Sequence, residues 1–287
     1  MADLMGPARR ERRGVGAFNV IQLEHAEAIV EGAEAAGAPV VLQLSENTAA
    51  YHRGLAPLAL ACLRIAADSA ADVCVHLDHA TSRELVEEAV ALGVRSVMFD
   101  ASTLPHAENV AATADVTAWC HAHDTWVEAE LGEIGGKGGA HTPGVRTDPD
   151  EAAGFVRATA VDALAVAVGS SHAMLTRDAV LDTALIADIA ARVDVPLVLH
   201  GSSGVPDEGL TTAIDAGMTK VNVATHLNKA MTAAVRASLA ADERLVDPRR
   251  YLGAGRDAVA AEVARLLRVL RADVTSRTRP PAGRASR

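Results

Sequence analysis

The feature that most constrains this chain of 287 residues is a repeated alternation of short apolar runs with longer, alanine-rich amphipathic segments. Most of the short runs are apolar at nearly every position and rich in β-branched residues, which is typical of parallel strands buried on both faces. The predicted strands are 16–20, 39–45, 73–78, 96–100, 126–131, 163–169, 196–201 and 220–224. Helix-like segments follow them, for example 22–37, 55–71, 82–93, 105–123 and 206–216.

The number and spacing of these units predict the fold class. Eight strand–helix units, about 30 residues apart, fit a closed (β/α)8 TIM barrel of the α/β class better than an open doubly wound sheet. The first strand also lacks the GxGxxG fingerprint of dinucleotide-binding sheets. We therefore expect one barrel domain over 1–274, with an extra C-terminal helix over about 255–272, and a disordered Arg- and Pro-rich tail over 275–287.

Charge and cysteine content exclude several classes of function. The net charge of −10 argues against a broad surface for nucleic acid or anionic membranes, although a locally basic pocket is compatible with it. The three cysteines, Cys62, Cys74 and Cys120, show no CxxC spacing, so we expect no disulfide framework and a cytoplasmic location. An apolar signal region and an 18-residue apolar run are both absent from the sequence, so neither a secretory signal nor a membrane span is predicted.

Polar side chains stand at the carboxyl ends of the predicted strands, where a barrel builds its active site from the following loops. These residues are Asn19, Ser45, Glu46, Asn47, Asp78, His79, Asp100, Ser102, Glu128, Glu130, His172, His200, Asn222 and Thr225. Three of them are histidines, His79, His172 and His200, on the third, sixth and seventh strands. Three neutral imidazoles with one open position make a catalytic zinc site. Position alone also allows loop histidines that bond to the backbone.

Asp78 directly precedes one of these histidines and has two interpretations. It is either a carboxylate that orients a metal-binding histidine or a general acid/base beside a Lewis acid. His76, two residues earlier on the strand, is interpreted as a core or supporting histidine.

Two further segments are candidates for substrate binding. HGSSG (200–204) and NVAT (222–225) are small and hydroxyl-rich, and phosphate sites of barrels commonly form after the seventh and eighth strands. The same backbone N–H groups could instead cap the helix that follows. The glycine-rich loop ELGEIGGKGGAHTPG (130–144) could close over a substrate, or it could be a slack connection.

Taken together, these stretches resemble the class II, zinc-dependent ketose-bisphosphate aldolases, the family of fructose- and tagatose-bisphosphate aldolases. The matching segments follow one another in family-like order over about residues 15–260 and are AFNV, HLDHA, SVMFDAS, VEAELGEIGG, AVGSSHA, LVLHGSSG, KVNVAT and DPRRYLGAG. The resemblance implies an aldolase of carbohydrate metabolism that reversibly cleaves a ketose phosphate or bisphosphate to dihydroxyacetone phosphate and an aldehyde. It also implies zinc, a possible monovalent cation (Na+ or K+), and a homodimer or homotetramer.

The resemblance carries roles onto individual residues. It implies that His79, His172 and His200 hold zinc and that Glu130 contacts the metal in an alternative position. It implies that Asp78 exchanges a proton with the C4 hydroxyl, beside a zinc ion that polarises the ketone. The implied substrate- and phosphate-binding residues are Asn19, Ser45, Gly169, Gly201, Ser203, Asn222 and Thr225, with Arg249 reaching a neighbouring subunit's site to hold the distal phosphate.

The sequence departs from the family pattern at loops that face the substrate. Where the family has acidic residues after the GG of the strand-5 loop, this chain has Lys137 and Gly138. Either Glu133 or His141 then takes over proton transfer at C3, or the chemistry is altered. Ala173 stands where a glycine usually follows the second zinc histidine. SENTAAYHRG (45–54) also differs from the common fructose-bisphosphate form, so fructose 1,6-bisphosphate is not assigned as the substrate.

These departures leave two other functions open. One is a zinc hydrolase in which Asp78 activates water, although the phosphate-type segments HGSSG and NVAT argue against it. The other is a catalytically altered homologue that serves as a zinc-stabilised binding protein.

Overall fold

The architecture is a closed barrel of eight parallel strands in the order β1 to β8, in a computed structural model that describes residues 1–131, 146–170 and 176–273. The strands are β1 (Val15–Asn19), β2 (Val40–Ser45), β3 (Val73–Ala80), β4 (Ser96–Phe99), β5 (Trp126–Leu131), β6 (Ala163–Val166), β7 (Leu197–Leu199) and β8 (Met218–Val223). The helices are α1 (Ala2–Glu11), α2 (Leu23–Ala36), α3 (Glu46–Tyr51), α4 (Ala56–Asp68), α5 (Arg83–Leu92), α6 (His106–His121), α7 (Pro149–Thr159), α8 (Thr183–Arg192), α9 (Asp207–Ala216), α10 (Thr225–Ala241) and α11 (Pro248–Val269). A short 3-10 turn, Ser202–Gly204, follows β7.

This arrangement confirms the predicted (β/α)8 barrel with an extra C-terminal helix. Each of the eight predicted strands is present, but β6 and β7 end earlier than their apolar runs, at Val166 and Leu199. β3 instead continues two residues past its predicted end, to Ala80, because its polar end still belongs to the sheet. The C-terminal helix α11 begins at Pro248, with the side chain of Asp247 accepting a hydrogen bond from Arg249 N as its N-cap.

Helix α1 closes the amino-terminal end of the barrel. Its Met5 and Ala8 are buried against Val15, Ala17 and Val41, which line the interior of β1 and β2. A short arginine-rich segment was not predicted as a helix, because only these two side chains give it an apolar face. Because α1 covers the amino-terminal end, the open end of the barrel is the carboxyl end of the strands, where the βα loops lie.

Helix α11 packs against the outside of β1 at a position where only glycine fits. A Cβ atom at Gly16 would lie 2.6 Å from the ring of Phe18 and 2.9 Å from Cδ2 of Leu267 in α11. The missing side chain therefore lets α11 approach the barrel closely.

Within the described ranges, no helix is both long enough and apolar enough to cross a membrane. The predicted tail at 275–287 lies outside those ranges. The division into one domain over 1–274 and a tail stays a prediction.

Candidate functional site

Alternate strand residues point into the barrel and form two polar layers near its carboxyl end. Successive side chains of a strand face opposite sides, so residues two apart share a face. Three such pairs are buried: His76 with Asp78 on β3, Glu128 with Glu130 on β5, and Lys220 with Asn222 on β8. The first member of each pair lies deeper in the barrel than the second.

The deeper layer is centred on Glu128, whose carboxylate contacts two other strands. Oε2 of Glu128 accepts a hydrogen bond from Nζ of Lys220 at 2.7 Å, and Oε1 lies 3.0 Å from Nε2 of His200. All three side chains are fully buried. Burial would raise the pKa of Glu128, but Lys220 and then His200 outweigh it and hold the pKa well below its usual range. The carboxylate is therefore ionised and fixed between two donors.

His76 completes this layer as a neutral imidazole. Its Nδ1 lies 2.7 Å from Oγ of Ser96, and its Nε2 lies 3.8 Å from Oε2 of Glu128. Burial, and next the charge of Lys220, lower the pKa of His76 to about 3. This placement agrees with the interpretation of His76 as a core or supporting residue.

The hydrogen bond to Glu128 determines which nitrogen His200 presents to the mouth of the barrel. Because Nε2 donates to Glu128, Nδ1 is the nitrogen that lies toward Glu130, 3.3 Å from Oε2 of that residue. Burial would lower the pKa of His200, but the two carboxylates outweigh it and raise the pKa to about 9. A metal that binds at Nδ1 would therefore displace a proton.

His79 reaches the same region through a bulge in β3. The register between β3 and β4 shifts between Leu77 and Ala80, and His79 has a left-handed backbone with φ of 53°. Neighbouring strand residues would otherwise face opposite sides, and a bulge can redirect a side chain. A non-glycine residue held in this conformation costs about 1–3 kcal/mol, a strain that is concentrated at functional sites.

Asp100 orients the ring of His79 from the end of β4. Its Oδ2 lies 2.7 Å from Nδ1 of His79, and its Oδ1 accepts hydrogen bonds from Oγ and the backbone N of Ser102 at 2.6 and 3.2 Å. With Nδ1 held by a carboxylate, Nε2 is the nitrogen that His79 can offer to a metal. The sequence placed Asp100 at a strand end but assigned it no role.

Two groups of side chains at the mouth of the barrel could hold a metal ion. In the first, one ligand atom each from Asp78, His79 and His200 lies within 4.8 Å of the others, and the second comprises His79, Asp100 and Glu130. Imidazole nitrogen and carboxylate oxygen are ligands that zinc accepts in proteins. The donor set thus fits the expected metal, and the structure places His79, His200, Asp78 and Glu130 near one another. Their roles at a metal site stay a prediction.

Asp78 has one carboxylate oxygen that is held and one that is not. Oδ2 lies 3.4 Å from the donor Nδ2 of Asn19, whose Oδ1 accepts from Nε2 of Gln43 at 3.1 Å. Oδ1 is buried and has no hydrogen-bond partner among the described residues. Burial would raise the pKa of Asp78, but His79 and next Lys220 outweigh it and lower the pKa overall. Buried polar atoms normally have a hydrogen-bond partner, so this oxygen of Asp78 is a candidate to bind a ligand or to accept a proton.

The ends of β6, β7 and β8 form the other part of the site. Gly169 and Gly201 have φ of 117° and 67°, which side chains rarely adopt. Oγ of Ser202 donates to the backbone oxygen of Asn222 and so ties the end of β7 to β8. Oγ of Ser170 and Oδ1 of Asn222 are buried without a hydrogen-bond partner among the described residues. These unpartnered atoms are compatible with a polar ligand at this end of the barrel.

The remaining predicted residues have varied positions. Ser203 is half-buried in the 3-10 turn after Gly201, and Thr225 is the first residue of α10. Oγ of Ser45 accepts from the backbone N of Thr48 at 3.1 Å, so this hydroxyl caps α3.

Arg249 is an exposed residue at the start of α11. It is in the first turn of α11, with its side chain 88% exposed and paired with Asp247 at 2.8 Å. His172, Glu133 and His141 lie outside the described residues.

Comparison with known proteins gives a consistent result. Residues 1–274 match the family model described as fructose-bisphosphate aldolase class-II. The YdjI aldolase of Escherichia coli K12 has a similar structure, with a TM-score of 0.85, 29% sequence identity and coverage of 95% of this chain and 97% of that one. A putative fructose-1,6-biphosphate aldolase of Coccidioides immitis has a TM-score of 0.85, 28% identity and coverage of 95% and 96%. A fructose-bisphosphate aldolase of Campylobacter jejuni shares the fold, with a TM-score of 0.81, 18% identity and coverage of 94% and 93%.

Proposed function

Because the chain belongs to the class-II fructose-bisphosphate aldolase family, we propose that it is a zinc-dependent lyase that reversibly cleaves a ketose phosphate or bisphosphate. The products would be dihydroxyacetone phosphate and an aldehyde. The observation that carries this proposal is the cluster of Asp78, His79 and His200, whose ligand atoms lie within 4.8 Å of one another at the mouth of the barrel.

The metal would be held by His79 through Nε2 and by His200 through Nδ1, because their other ring nitrogens are engaged by Asp100 and Glu128. His172 is the third proposed ligand, on the strength of the sequence. When bound, zinc supplies a Lewis acid that polarises the ketone of the substrate. Glu130 lies close enough to His200 to be the alternative carboxylate contact, since Oε2 is 3.3 Å from Nδ1.

Asp78 would move the proton at C4. In cleavage, its carboxylate takes the proton of the C4 hydroxyl, the C3–C4 bond breaks, and a carbonyl forms at C4 of the departing aldehyde. The electron pair of the broken bond stays on C3 of the triose phosphate. In condensation, Asp78 returns the proton to the new hydroxyl. The support for this role is the buried Oδ1 without a partner among the described residues, beside an Oδ2 that Asn19 holds.

The phosphate of dihydroxyacetone phosphate would be bound at the ends of β6 to β8. The short turn after Gly201 supplies backbone N–H groups and the hydroxyl of Ser203, and Asn222 supplies an amide. Gly169 and Thr225 are the other proposed contacts. Lys220, two residues before Asn222 on β8, is a buried cation, but it is engaged with Glu128 at 2.7 Å.

Arg249 supports the proposal of a homodimer or homotetramer. Its exposed position at the start of α11 suits a residue that reaches a neighbouring subunit's site. The monovalent cation, the strand-5 loop acid (Glu133 or His141) and the cytoplasmic location stay predictions.

The test is a screen of the zinc-loaded protein with dihydroxyacetone phosphate and a panel of aldehydes, phosphorylated and unphosphorylated, with identification of the products. We expect a new C–C bond with at least one aldehyde, and no product from His200→Ala. Binding of zinc without any condensation product would contradict the proposal and favour the binding-protein alternative. Release of phosphate instead of condensation would favour the hydrolase.

A further inference from the structure

Helix α3 connects the loops that follow β1 and β3 at the rim of the barrel. At its start, the carboxylate of Glu46 accepts two hydrogen bonds from Thr81: the backbone N donates to Oε2 at 2.6 Å and the hydroxyl to Oε1 at 3.1 Å. At its end, Nε2 of His52 lies 2.7 Å from the backbone oxygen of Ile21. This is the segment, 45–54, that differs from the common fructose-bisphosphate form, and the catalytic proposal assigns no role to Glu46.

Thr81 is the first residue after β3 and directly follows Ala80, at which regular pairing with β4 resumes. The register shift between Leu77 and Ala80 and the left-handed φ of His79 lie directly before it. Directly before His79, Asp78 is paired in register with Ser45 of β2. On the β4 side, Asp100 N donates to the backbone oxygen of Ala80 at 2.8 Å. Glu46 holds Thr81, the second residue after His79. The strained His79 therefore lies between Asp78, which pairs with β2, and Thr81, which Glu46 binds.

We propose that Glu46 is a positioning residue whose two hydrogen bonds to Thr81 hold the β3 bulge in the conformation that brings the imidazole of His79 beside Asp78 and His200. The proposal rests on the proposed function, because it assumes that His79 binds the metal. The bulge itself explains how two consecutive residues of one strand serve the same site, and Glu46 explains what keeps the bulge formed.

If Glu46 only stabilised α3, its replacement would have a different measurable effect. As the first residue of α3, an acidic side chain also stabilises the helix through its dipole. That effect would lower the melting temperature when Glu46 is replaced, but it would leave zinc affinity unchanged. Zinc affinity is therefore the readout that separates positioning of His79 from stabilisation of α3.

The experiment measures the zinc affinity of the full-length chain by competition with a chelator, in Glu46→Ala, Glu46→Gln and Thr81→Val. The control is Glu88→Ala, which removes an exposed acid of α5 whose side chain makes no hydrogen bond or ion pair to the rest of the described structure. We expect Glu46→Ala to weaken zinc binding about tenfold or more, as is typical for residues that support metal ligands. Glu46→Gln, which keeps one acceptor oxygen, should lose less. Thr81→Val, which keeps the backbone bond, should lose least, and Glu88→Ala should match the wild type.

A second measurement follows the bulge without reference to metal. Hydrogen–deuterium exchange of the peptide that spans 78–84 should be faster in Glu46→Ala than in the wild type and in Glu88→Ala. If the wild-type chain binds no zinc, the proposed function fails, and exchange at 78–84 still decides whether Glu46 holds the bulge. If the wild type binds zinc and both Glu46 variants bind it equally well, the positioning role is overturned while the proposed function stands. The positioning role is likewise overturned if the melting temperature falls without loss of zinc affinity, or if Glu88→Ala weakens zinc binding as much as Glu46→Ala does.

Discussion

Nζ of Lys220 on β8 donates a hydrogen bond to Oε2 of Glu128 on β5 across the interior of the barrel, at 2.7 Å. The two strands are not neighbours in the sheet, and both side chains are fully buried. The other oxygen of the same carboxylate contacts Nε2 of His200. The carboxylate that pairs with Lys220 therefore also fixes the ring orientation of His200, a candidate metal ligand.

Removal of one member of this pair should destabilise the fold strongly. Lys220→Met removes the cation that binds Oε2 of the buried Glu128 carboxylate, although His200 still contacts Oε1. The free energy of unfolding should fall by about 3–5 kcal/mol, as found when one partner of a buried ion pair is removed. The double variant Lys220→Met with Glu128→Gln should recover a large part of that loss, because the side chain that lost its cation is then neutral. Urea unfolding of both variants measures the difference. If the single variant were as stable as the wild type, the ion pair would not be buried away from water as it is in this structure.

Replacement of Asp78 should separate proton transfer from metal binding. Asp78→Ala should lower kcat for cleavage by about 10²–10⁴-fold, which is the usual contribution of a general acid/base. Zinc content should stay close to that of the wild type, because the three proposed histidine ligands, His79, His172 and His200, remain. The variant should still exchange the C3 hydrogen of dihydroxyacetone phosphate with solvent, since a different group is expected to remove it. Equal loss of exchange and cleavage at normal zinc content would contradict this division of labour.

The fold was predictable from the sequence because parallel strands buried on both faces are apolar at nearly every position. The eight runs could be recognised without any tertiary information. The polar layers were also partly predictable, because residues two apart on a strand share a face. His76 therefore faces the same side as Asp78, and Glu128 the same side as Glu130. Helices α1 and α3 were not predicted, because the first is polar and the second is short.

The arrangement at Asp78 and His79 could not be derived in the same way. Consecutive strand residues are expected on opposite faces, and only the left-handed backbone of His79 changes that. The pairing of His79 with Asp100 depends on the same backbone conformation, although β3 and β4 are neighbouring strands. The pairing of Glu128 with Lys220 depends on closure of the barrel, because the two residues are 92 positions apart on strands that are not neighbours. The sequence indicated the resulting metal-site residues mainly through the resemblance to a family.

Two adjacent serines should respond differently to replacement by alanine. Ser203→Ala should raise KM for dihydroxyacetone phosphate about tenfold or more, because a hydrogen bond to a charged group contributes about 1.5–3 kcal/mol. Ser202→Ala should mainly lower stability, because its hydroxyl donates to the backbone oxygen of Asn222. Steady-state kinetics and thermal unfolding of both variants make the comparison. An unchanged KM in Ser203→Ala would argue against a phosphate contact at this hydroxyl.

Asp207, the first residue of α9, should make a pH-dependent contribution to stability. Its carboxylate pairs with Arg177 at 2.6 Å and with Arg265 of α11 at 2.5 Å. Partial burial would raise the pKa of Asp207, but the two arginines outweigh it and lower the pKa. A lowered pKa in the folded state means that the stabilisation is complete above the unfolded pKa of about 4 and is lost as the pH falls through the folded value.

Asp207→Asn should therefore cost about 1 kcal/mol at neutral pH, a modest figure because the pair is partly exposed, and the cost should disappear in acid. The control is Glu208→Gln, which removes an exposed acid from the same turn of α9. Urea unfolding at a series of pH values gives both differences. A cost that is constant from neutral to acidic pH would show that the ion pair is not its source.

The central claim is that this barrel activates dihydroxyacetone phosphate at a metal held by His79 and His200, and it can be tested without knowledge of the aldehyde. Proton NMR of dihydroxyacetone phosphate in deuterated water measures the loss of a C3 hydrogen signal in the presence of the protein. The zinc-loaded chain should exchange this hydrogen, and the exchange should stop after chelation and in His200→Ala. Absence of exchange with the zinc-loaded wild type, or unchanged exchange in His200→Ala, would contradict the account.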